Sequence, residues 1–353
     1  LPLPPPLPLL ALPDGTFYSL PHGEPFRFPG FGCAGYKSAC CGSWLVFPRD
    51  DGCFLVDPFA GATVRLPPLS RVRLRPPNAV PKYVQLPGVS LFHPYATWMH
   101  IQDPKKVPVM NKIIMCSPNL VAAFAGSTLV GAGNNSQIIV CQPGASSWSV
   151  RANDKCLLFE DMAFYQGKIY ALADDGNLLV VNISQDTTTG DPQISRIGQV
   201  IKGEPWHSTV MPGDTKDKKK LYLVESCGAL LMVRRKVCCR LAGETVVATQ
   251  SEFELFKADL ERSQWVNVKT LGDDQTLFLG RPCSRAMSAS QYGMPGDQIF
   301  FLDDVMENCK QYSFDEETTS VSVYDMRSGE VSSPLLMVWK HEMILATWLF
   351  PWD

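Results

Sequence analysis

Apolar and polar residues alternate through Lys168–Val181, KIYALADDGNLLVV, on both sides of Asp174-Asp175-Gly176. An Asp-Gly pair between two alternating runs predicts a β-hairpin, because glycine supplies the positive φ a tight turn needs. The pattern returns 52 positions later in Lys220–Val233, KLYLVESCGALLMV, where Lys168 aligns with Lys220, Tyr170 with Tyr222, Gly176 with Gly228 and Leu178 with Leu230. It also occurs in Trp44–Val56, WLVFPRDDGCFLV, with Asp51-Gly52 at the turn. Recurrence at roughly 40 to 50 residues is the spacing of propeller blades.

Extending this ruler divides the chain into five internal units: Gly42–Leu69, Lys112–Val150, Asp161–Ile197, Lys219–Leu271 and Arg285–Pro334. Short strand candidates remain at the start, Gly15–Leu20 and Pro25–Pro29, and one at the end, Ile344–Pro351. A single blade exposes two apolar faces, so blades must pack around a ring, and strands from the two termini can complete the last one. The expectation is therefore an all-β fold: one β-propeller of about six four-stranded blades over residues 11–353, preceded by a Pro/Leu linker at 1–10. A second recurrence supports it. Asp57 is followed six positions on by Thr63, Gln142 by Trp148, Asp259 by Trp265 and Asp325 by Val331, where an Asp side chain can bond the amides of its own turn. The segments 70–108, 236–251 and 305–319 break the repeat and read as long loops, the last one acidic.

Composition changes this picture little. Of the 353 residues, 45% are hydrophobic and 19% charged, enough for a sizeable core, and 29 prolines with 26 glycines suit many short strands. A net charge of -3 and a pI of about 6.0 give no general reason to hold nucleic acid or an anionic membrane. The cluster Lys216, Lys218, Lys219, Lys220 is broken by Asp217 and reads as a solvated loop. The 12 cysteines are too dilute for a disulfide scaffold; Cys53, Cys116 and Cys141 sit in apolar runs, and no Cys-x-x-Cys occurs. Reduced thiols in a cytoplasmic or nuclear protein are expected. The opening residues lack a basic region before their apolar stretch, and prolines interrupt it, so they make a poor signal peptide. The apolar stretch Leu120–Gly133 is too short to span a bilayer.

Candidate chemistry is sparse. His22, His93, His100, His207 and His341 are scattered without metal-ligand spacing. Asp303-Asp304 and Asp315-Glu316-Glu317 read as solvated loop charges rather than an acid/base pair. Asp174-Asp175-Gly176-Asn177 lacks the alternating oxygen ligands and distal Glu of a calcium loop. GSTLVGAG at 126–133 lacks the Lys-Ser/Thr of a phosphate loop, and no Gly-x-Ser-x-Gly elbow is present. Asn134-Asn135-Ser136 and Asn182-Ile183-Ser184 match the glycosylation triplet, which matters only in a secreted chain. No catalytic, cofactor-binding or metal-binding residues are assigned, and no cofactor is expected.

Ala11–Leu20 (ALPDGTFYSL), Leu55–Leu69 (LVDPFAGATVRLPPL), Cys141–Val150 (CQPGASSWSV), Asp161–Leu172 (DMAFYQGKIYAL), Leu221–Arg235 (LYLVESCGALLMVRR) and Trp265–Gly280 resemble the plant F-box proteins that carry a kelch-like KIB-type β-propeller, long called domain of unknown function 295. The resemblance covers nearly the whole chain in the family's order. It implies a non-enzymatic propeller acting as the substrate-recognition half of a Skp1-cullin-F-box ubiquitin ligase, with a protein substrate as partner. In the family the F-box precedes the propeller, and residues 1–10 cannot supply that helical module. The chain as given is expected to bind a Skp1-type adaptor only if an upstream F-box exists. The partner surface is expected in 70–108, 236–251 and 305–319. The alternative is a propeller enzyme or carbohydrate-binding protein with carboxylates or histidines converging in the central channel. A secreted glycoprotein with paired cysteines is a third reading.

Overall fold

A computed structural model of the chain describes residues 8–19, 25–28, 32–36, 38–40, 42–49, 52–80, 83–85, 92–94, 98, 108–127, 135–203, 215–242, 245–302, 321–335 and 346–351. The fold is all-β, a β-propeller.

The N-terminal strands β1 (Leu9–Ala11), β2 (Phe17–Ser19) and β3 (Pro25–Phe26) start a sheet whose remaining strand comes from the far end of the chain. The first blade holds β4 (Ser38–Ala39), β5 (Leu45–Arg49), β6 (Gly52–Asp57) and β7 (Ala62–Arg65). Three more strands, β8 (Val72–Arg75), β9 (Tyr83–Gln85) and β10 (Phe92–Pro94), follow before the second blade, β11 (Pro108–Ser117), β12 (Leu120–Ser127), β13 (Asn135–Cys141) and β14 (Trp148–Arg151). The third blade is β15 (Leu157–Tyr165), β16 (Lys168–Ala173), β17 (Leu178–Gln185) and β18 (Pro192–Ile201). The fourth is β19 (Thr215–Ser226), β20 (Ala229–Ala242), β21 (Thr245–Asp259) and β22 (Gln264–Val268). In the fifth, β23 (Gln275–Leu279) and β24 (Arg285–Ser288) join β25 (Gln298–Phe301), β26 (Val321–Asp325) and β27 (Val331–Leu335). Finally β28 (Thr347–Leu349) pairs antiparallel with β1, Leu9 opposite Leu349 and Ala11 opposite Thr347. The ring is thus closed by both termini, as the isolated strand candidates at the ends predict.

Three sheets have four strands and one has five; the second and third blades are joined edge to edge in a nine-stranded sheet through Asn135 opposite Leu158 and Ser136 opposite Leu157. The apolar clusters show how the blades associate. Strand alternation sends Leu9 and Ala11 towards the first blade, with Leu45, Phe47 and Val56, and sends Leu10 and Leu12 towards the fifth, with Phe278, Phe300 and Trp348. Equivalent clusters lie between the first and second blades (Leu55, Ile139, Trp148), the second and third (Phe124, Ile138, Ile169), the third and fourth (Leu172, Leu221, Met232) and the fourth and fifth (Tyr222, Leu255, Ile299). Each sheet spends both faces on its neighbours, which is why strands such as Leu120–Ser127 carry continuous apolar runs.

The turns between third and fourth strands are the Asp turns expected from the repeat. Asp57 Oδ1 accepts from the amides of Phe59 (2.8 Å) and Ala60 (3.1 Å), and Asp325 Oδ1 from Arg327 (2.8 Å) and Ser328 (2.9 Å). Asp186, absent from the sequence comparison, does the same for Thr188 and Thr189. Just past this turn, Trp148 Nε1 donates to Pro67 O (2.7 Å) and Trp265 Nε1 to Gly176 O (2.9 Å), each pinning its blade to the preceding one.

Several boundaries differ from the sequence expectation. Leu9 and Leu10 belong to the propeller sheet, not to the linker, because their alternating faces fill two blade interfaces. The two aligned hairpins occupy different strands: Gly176 lies between second and third strands, whereas Gly228 lies between first and second, where its counterpart is Gly167. The two hairpins of the third blade, turning at Gln166-Gly167 and Asp175-Gly176, share the same short-range pattern, so alternation alone could not separate them. The fifth blade begins before Arg285, with β23 lying parallel to β25. Residues 236–251 continue the β20–β21 hairpin, and the lysine cluster 216–220 is part of strand β19; backbone pairing holds both without an apolar pattern. Within 70–108, β8 adds a parallel edge strand to β14, Trp148 opposite Val72 and Arg151 opposite Arg75, and β9 pairs with β10. The segment 305–319 lies outside the described residues.

Candidate partner-binding end

In an antiparallel blade, the connection from second to third strand leaves from the end at which the first strand begins. That end is continuous across neighbouring blades. In the second and third blades the start of β13 pairs with the start of β15. In the third and fourth, Lys219 Nζ donates to Asp174 O at the β16–β17 turn, and Lys220 Nζ lies 3.4 Å from Glu160. In the fourth and fifth, Arg235 NH1 donates to Leu302 O (2.9 Å), the last described residue before 303–320. Described residues that border the expected segments 70–108, 236–251 and 305–319 lie here: Pro108 opens β11, 236–242 and 245–251 pair as the far half of the β20–β21 hairpin, and Leu302 ends the described stretch after β25 while Val321 opens β26.

The side chains at this end are committed to structure. Asp175 accepts from Asn177 N (3.0 Å) and Nδ2 (2.6 Å), and Asn177 Oδ1 accepts from Gly203 N (2.7 Å), so the turn is a hairpin turn tied to the next connection and not a ligand loop. Burial raises the Asp174 carboxyl above the usual carboxylate range against the opposing pull of Lys219, and burial lowers Lys219 against the pull of Asp174 and Glu160. Arg235 is fully buried, its guanidinium 4.4 Å from the Phe301 ring centroid and bonded to Ser251 Oγ (3.2 Å from Nε). Arg234 and Lys236 both reach Glu254, at 3.3 and 2.9 Å. Further out on the ring, Arg73 meets Asp191 (2.7 Å) and Arg75 meets Asp186, clamping β8 across the second and third blades.

Deeper along the first strands, Lys112 and Asp161 form an ion pair with side chains 5% and 2% exposed. Asp161 also accepts from Met162 N (2.7 Å) and from Leu223 N (2.7 Å), joining the second, third and fourth blades. Glu225, at the other end of β19, accepts from Gly228 N (3.1 Å). Every carboxylate whose side chain is described on these strands is therefore occupied by a lysine or an amide. Sequence reading missed the Lys112–Asp161 pair, since nothing local marks two residues on separate blades as partners.

Other sequence candidates separate cleanly. Among the described residues no group of three metal-ligating side chains occurs. Of the histidines, four lie outside the described residues and His93 is described only as part of β10. Asp303-Asp304, Asp315-Glu316-Glu317, most of 126–133 and Asn134 also lie outside them. Asn182 sits within β17, opposite Arg196. Cys33, Cys53, Cys141, Cys156 and Cys227 are free thiols and all but Cys227 are buried; burial pushes the Cys53 and Cys156 thiols up to about 12, leaving them protonated and poorly nucleophilic. No helix among the described residues is long and apolar enough to cross a membrane.

Compared with known families, residues 9–325 match the model of the KIB1-4 beta-propeller. The chain belongs to this family. Within the KIB1-4 propellers, its relatives are Arabidopsis thaliana F-box proteins. F-box only protein 7 is 20% identical over 90% of this chain and 73% of its own length. F-box protein At2g26160 is 24% identical over 52% of each chain, and F-box protein SKIP23 is 24% identical over 52% of this chain and 44% of its own. The chain spans about half the length of most of the relatives it matches, and the match to the KIB1-4 family accounts for its all-β ring.

Proposed function

We propose that this KIB1-4 propeller is a protein-recognition module that, joined to an F-box, directs a captured protein to a Skp1-cullin-F-box ubiquitin ligase. The observation that supports the reading is that described residues bordering the three repeat-breaking segments lie at one end of the ring, in a chain whose relatives are named F-box proteins. A rigid ring presenting variable connections at one end is suited to binding a macromolecule. On this reading the propeller is not itself an enzyme: the described carboxylates of its first strands are taken up by inter-blade contacts at Glu160 and Asp161 and by a turn amide at Glu225, which suits a scaffold better than a channel site. The protein works in the cytoplasm or nucleus, where ubiquitin ligases of this type assemble.

The test replaces 81–107, 238–249 and 303–320 with short Gly/Ser linkers, separately and together, and compares proteins captured from plant-cell extracts by quantitative mass spectrometry. Loss of the captured set at unchanged melting temperature is the expected result. An unchanged set would refute the assignment to this end. Skp1-type adaptor binding is expected only after an F-box is fused upstream.

A further inference from the structure

The second blade carries an extra strand that comes from outside it. β8 lies parallel to β14 over four residues, Val72 opposite Trp148 through Arg75 opposite Arg151, and among the described residues no strand pairs with its other side. All four of its side chains are half-buried, whereas Trp148 and Val150, facing Val72 and Leu74, are fully buried. Val72 and Leu74 only flank the apolar cluster between the first and second blades. The alternate side chains reach the third blade, where Arg73 donates to Asp191 (2.7 Å) and Thr189 Oγ1 (3.1 Å) and Arg75 meets Asp186. The two ends of β8 are held unequally. Before it, Leu66 and Leu69 are buried, Trp148 Nε1 holds Pro67 O (2.7 Å), and Arg71 N donates to Pro68 O (3.0 Å). At its finish Arg75 Nε is buried without a hydrogen-bond partner, and the exposed Pro76 and Pro77 have no amide to pair. Ser149 Oγ, in β14 opposite Arg73, is also buried and unpaired.

We infer that residues 71–80 form a strap that peels from β14 while the ring stays folded, hinged at Pro67–Leu69 and latched by Arg73 and Arg75 on the Asp186–Asp191 turn. A short edge strand with few buried apolar groups and unmet polar atoms belongs to the low end of local stability. Parallel pairing makes it weaker still. Closed, the strap fixes the chain to the outer edge of the second blade as far as Arg75. Open, it adds its own length to the tether of 81–107. The latch is ionic and partly exposed, with Arg73 and Asp191 side chains 34% and 33% accessible. Sodium chloride screens such pairs and leaves backbone bonds and apolar contacts nearly untouched. Opening of the strap is a property of the ring itself, independent of what the ring binds.

The experiment is residue-resolved amide exchange on the full chain, corrected for intrinsic rates, at about 0.05 M and about 1 M sodium chloride. Three amides report. Ala152 N bonds Arg75 O (3.1 Å) at the latched end, Trp148 N bonds Arg71 O (2.9 Å) at the hinge, and Leu223 N bonds Asp161 (2.7 Å) inside the ring. Ala152 is expected to exchange roughly tenfold faster than Trp148, and both faster than Leu223. High salt should speed Ala152 by about tenfold more and leave Leu223 unchanged. The double variant Asp186→Asn with Asp191→Asn should do the same at low salt. Asparagine at 186 keeps an oxygen for the Thr188 and Thr189 amides, so the turn survives while the charge goes. Ala152 and Leu223 exchanging at one common rate would overturn the strap, because β8 would then leave only with the ring. Acceleration spread equally over all three amides would overturn it too, by showing a global loss of stability. Rates indifferent to both salt and the variant would overturn the ionic latch.

Discussion

At the scale of single residues, the repeat is carried by the Asp turns and their closing residue. Gly61, Gly190 and Gly329 end these turns in the left-handed region, at φ of 62°, 72° and 72°, and the fourth blade places Ser263 there at 55°. A side chain pays for that conformation, so Ser263→Gly is expected to stabilise the protein by about 0.5–1 kcal/mol, measured as a rise in the urea midpoint. Conversely Gly190→Ala, where the added carbon meets nothing within 4 Å, should lose about 1 kcal/mol from backbone conformation alone. The same turns make stability depend on pH. Hydrogen bonds hold the Asp186 and Asp325 carboxyls below the usual range, chiefly from the Thr188 hydroxyl in the first case and the Ser328 amide in the second. A folded pKa below the unfolded one gives stability that is complete above the unfolded value and drains as pH falls through the folded one. Denaturant midpoints should therefore be flat near neutrality and fall below about pH 4, with Asp325→Asn showing a shallower fall. The spacing from Asp to Gly was legible at Asp57 and Asp325; Asp186 fits it equally, four residues before Gly190. It escaped because the comparison followed the distance to the next apolar residue, and β18 begins with Pro192.

At the scale of strands and turns, the blades are held together by a few polar contacts laid across apolar interfaces. Removing Asp161 with alanine takes away the buried carboxylate that Lys112 and the Met162 and Leu223 amides share, so a loss of about 3–5 kcal/mol is expected. Lys112→Met should cost less, because two amides still serve Asp161, and the double variant less than the sum; a double-mutant cycle in urea reads both. At Gly203 an added carbon would lie 2.2 Å from Asp175 O and 2.3 Å from the Gly176 carbonyl carbon. Gly203→Ala must therefore push the 174–177 turn away, and hydrogen exchange at the Gly176 and Asn177 amides should report the opening. Strand existence was readable from alternation, and the hairpin turn at Asp174–Asn177 with it. Strand length was not: how far β19, β20 and β21 run together is set by the pairing of backbones distant in sequence, which no local period marks.

At the scale of the whole molecule, the decisive element is the pairing of β1 with β28. Closure by both termini was legible because single strands were left over at each end of an otherwise repeating chain. The clasp is dense: Leu10 and Trp348 are fully buried, and Trp348 Nε1 donates to Leu279 O (2.9 Å) on the fifth blade. Trp348→Ala should cost about 3–5 kcal/mol and lower the melting temperature cooperatively rather than fraying one blade. The partner end was legible only as three breaks in a pattern; which strands anchor them depends on contacts between blades distant in sequence. The clasp also sets an order of events during synthesis. Within the propeller β1 is made before the blades and its partner β28 after them, so its apolar faces must wait while all five blades are synthesised. A chain ended before β28 would lack the seal and display unfilled apolar surface to chaperones and proteases. For this fold, completeness of the ring is checked by the structure itself.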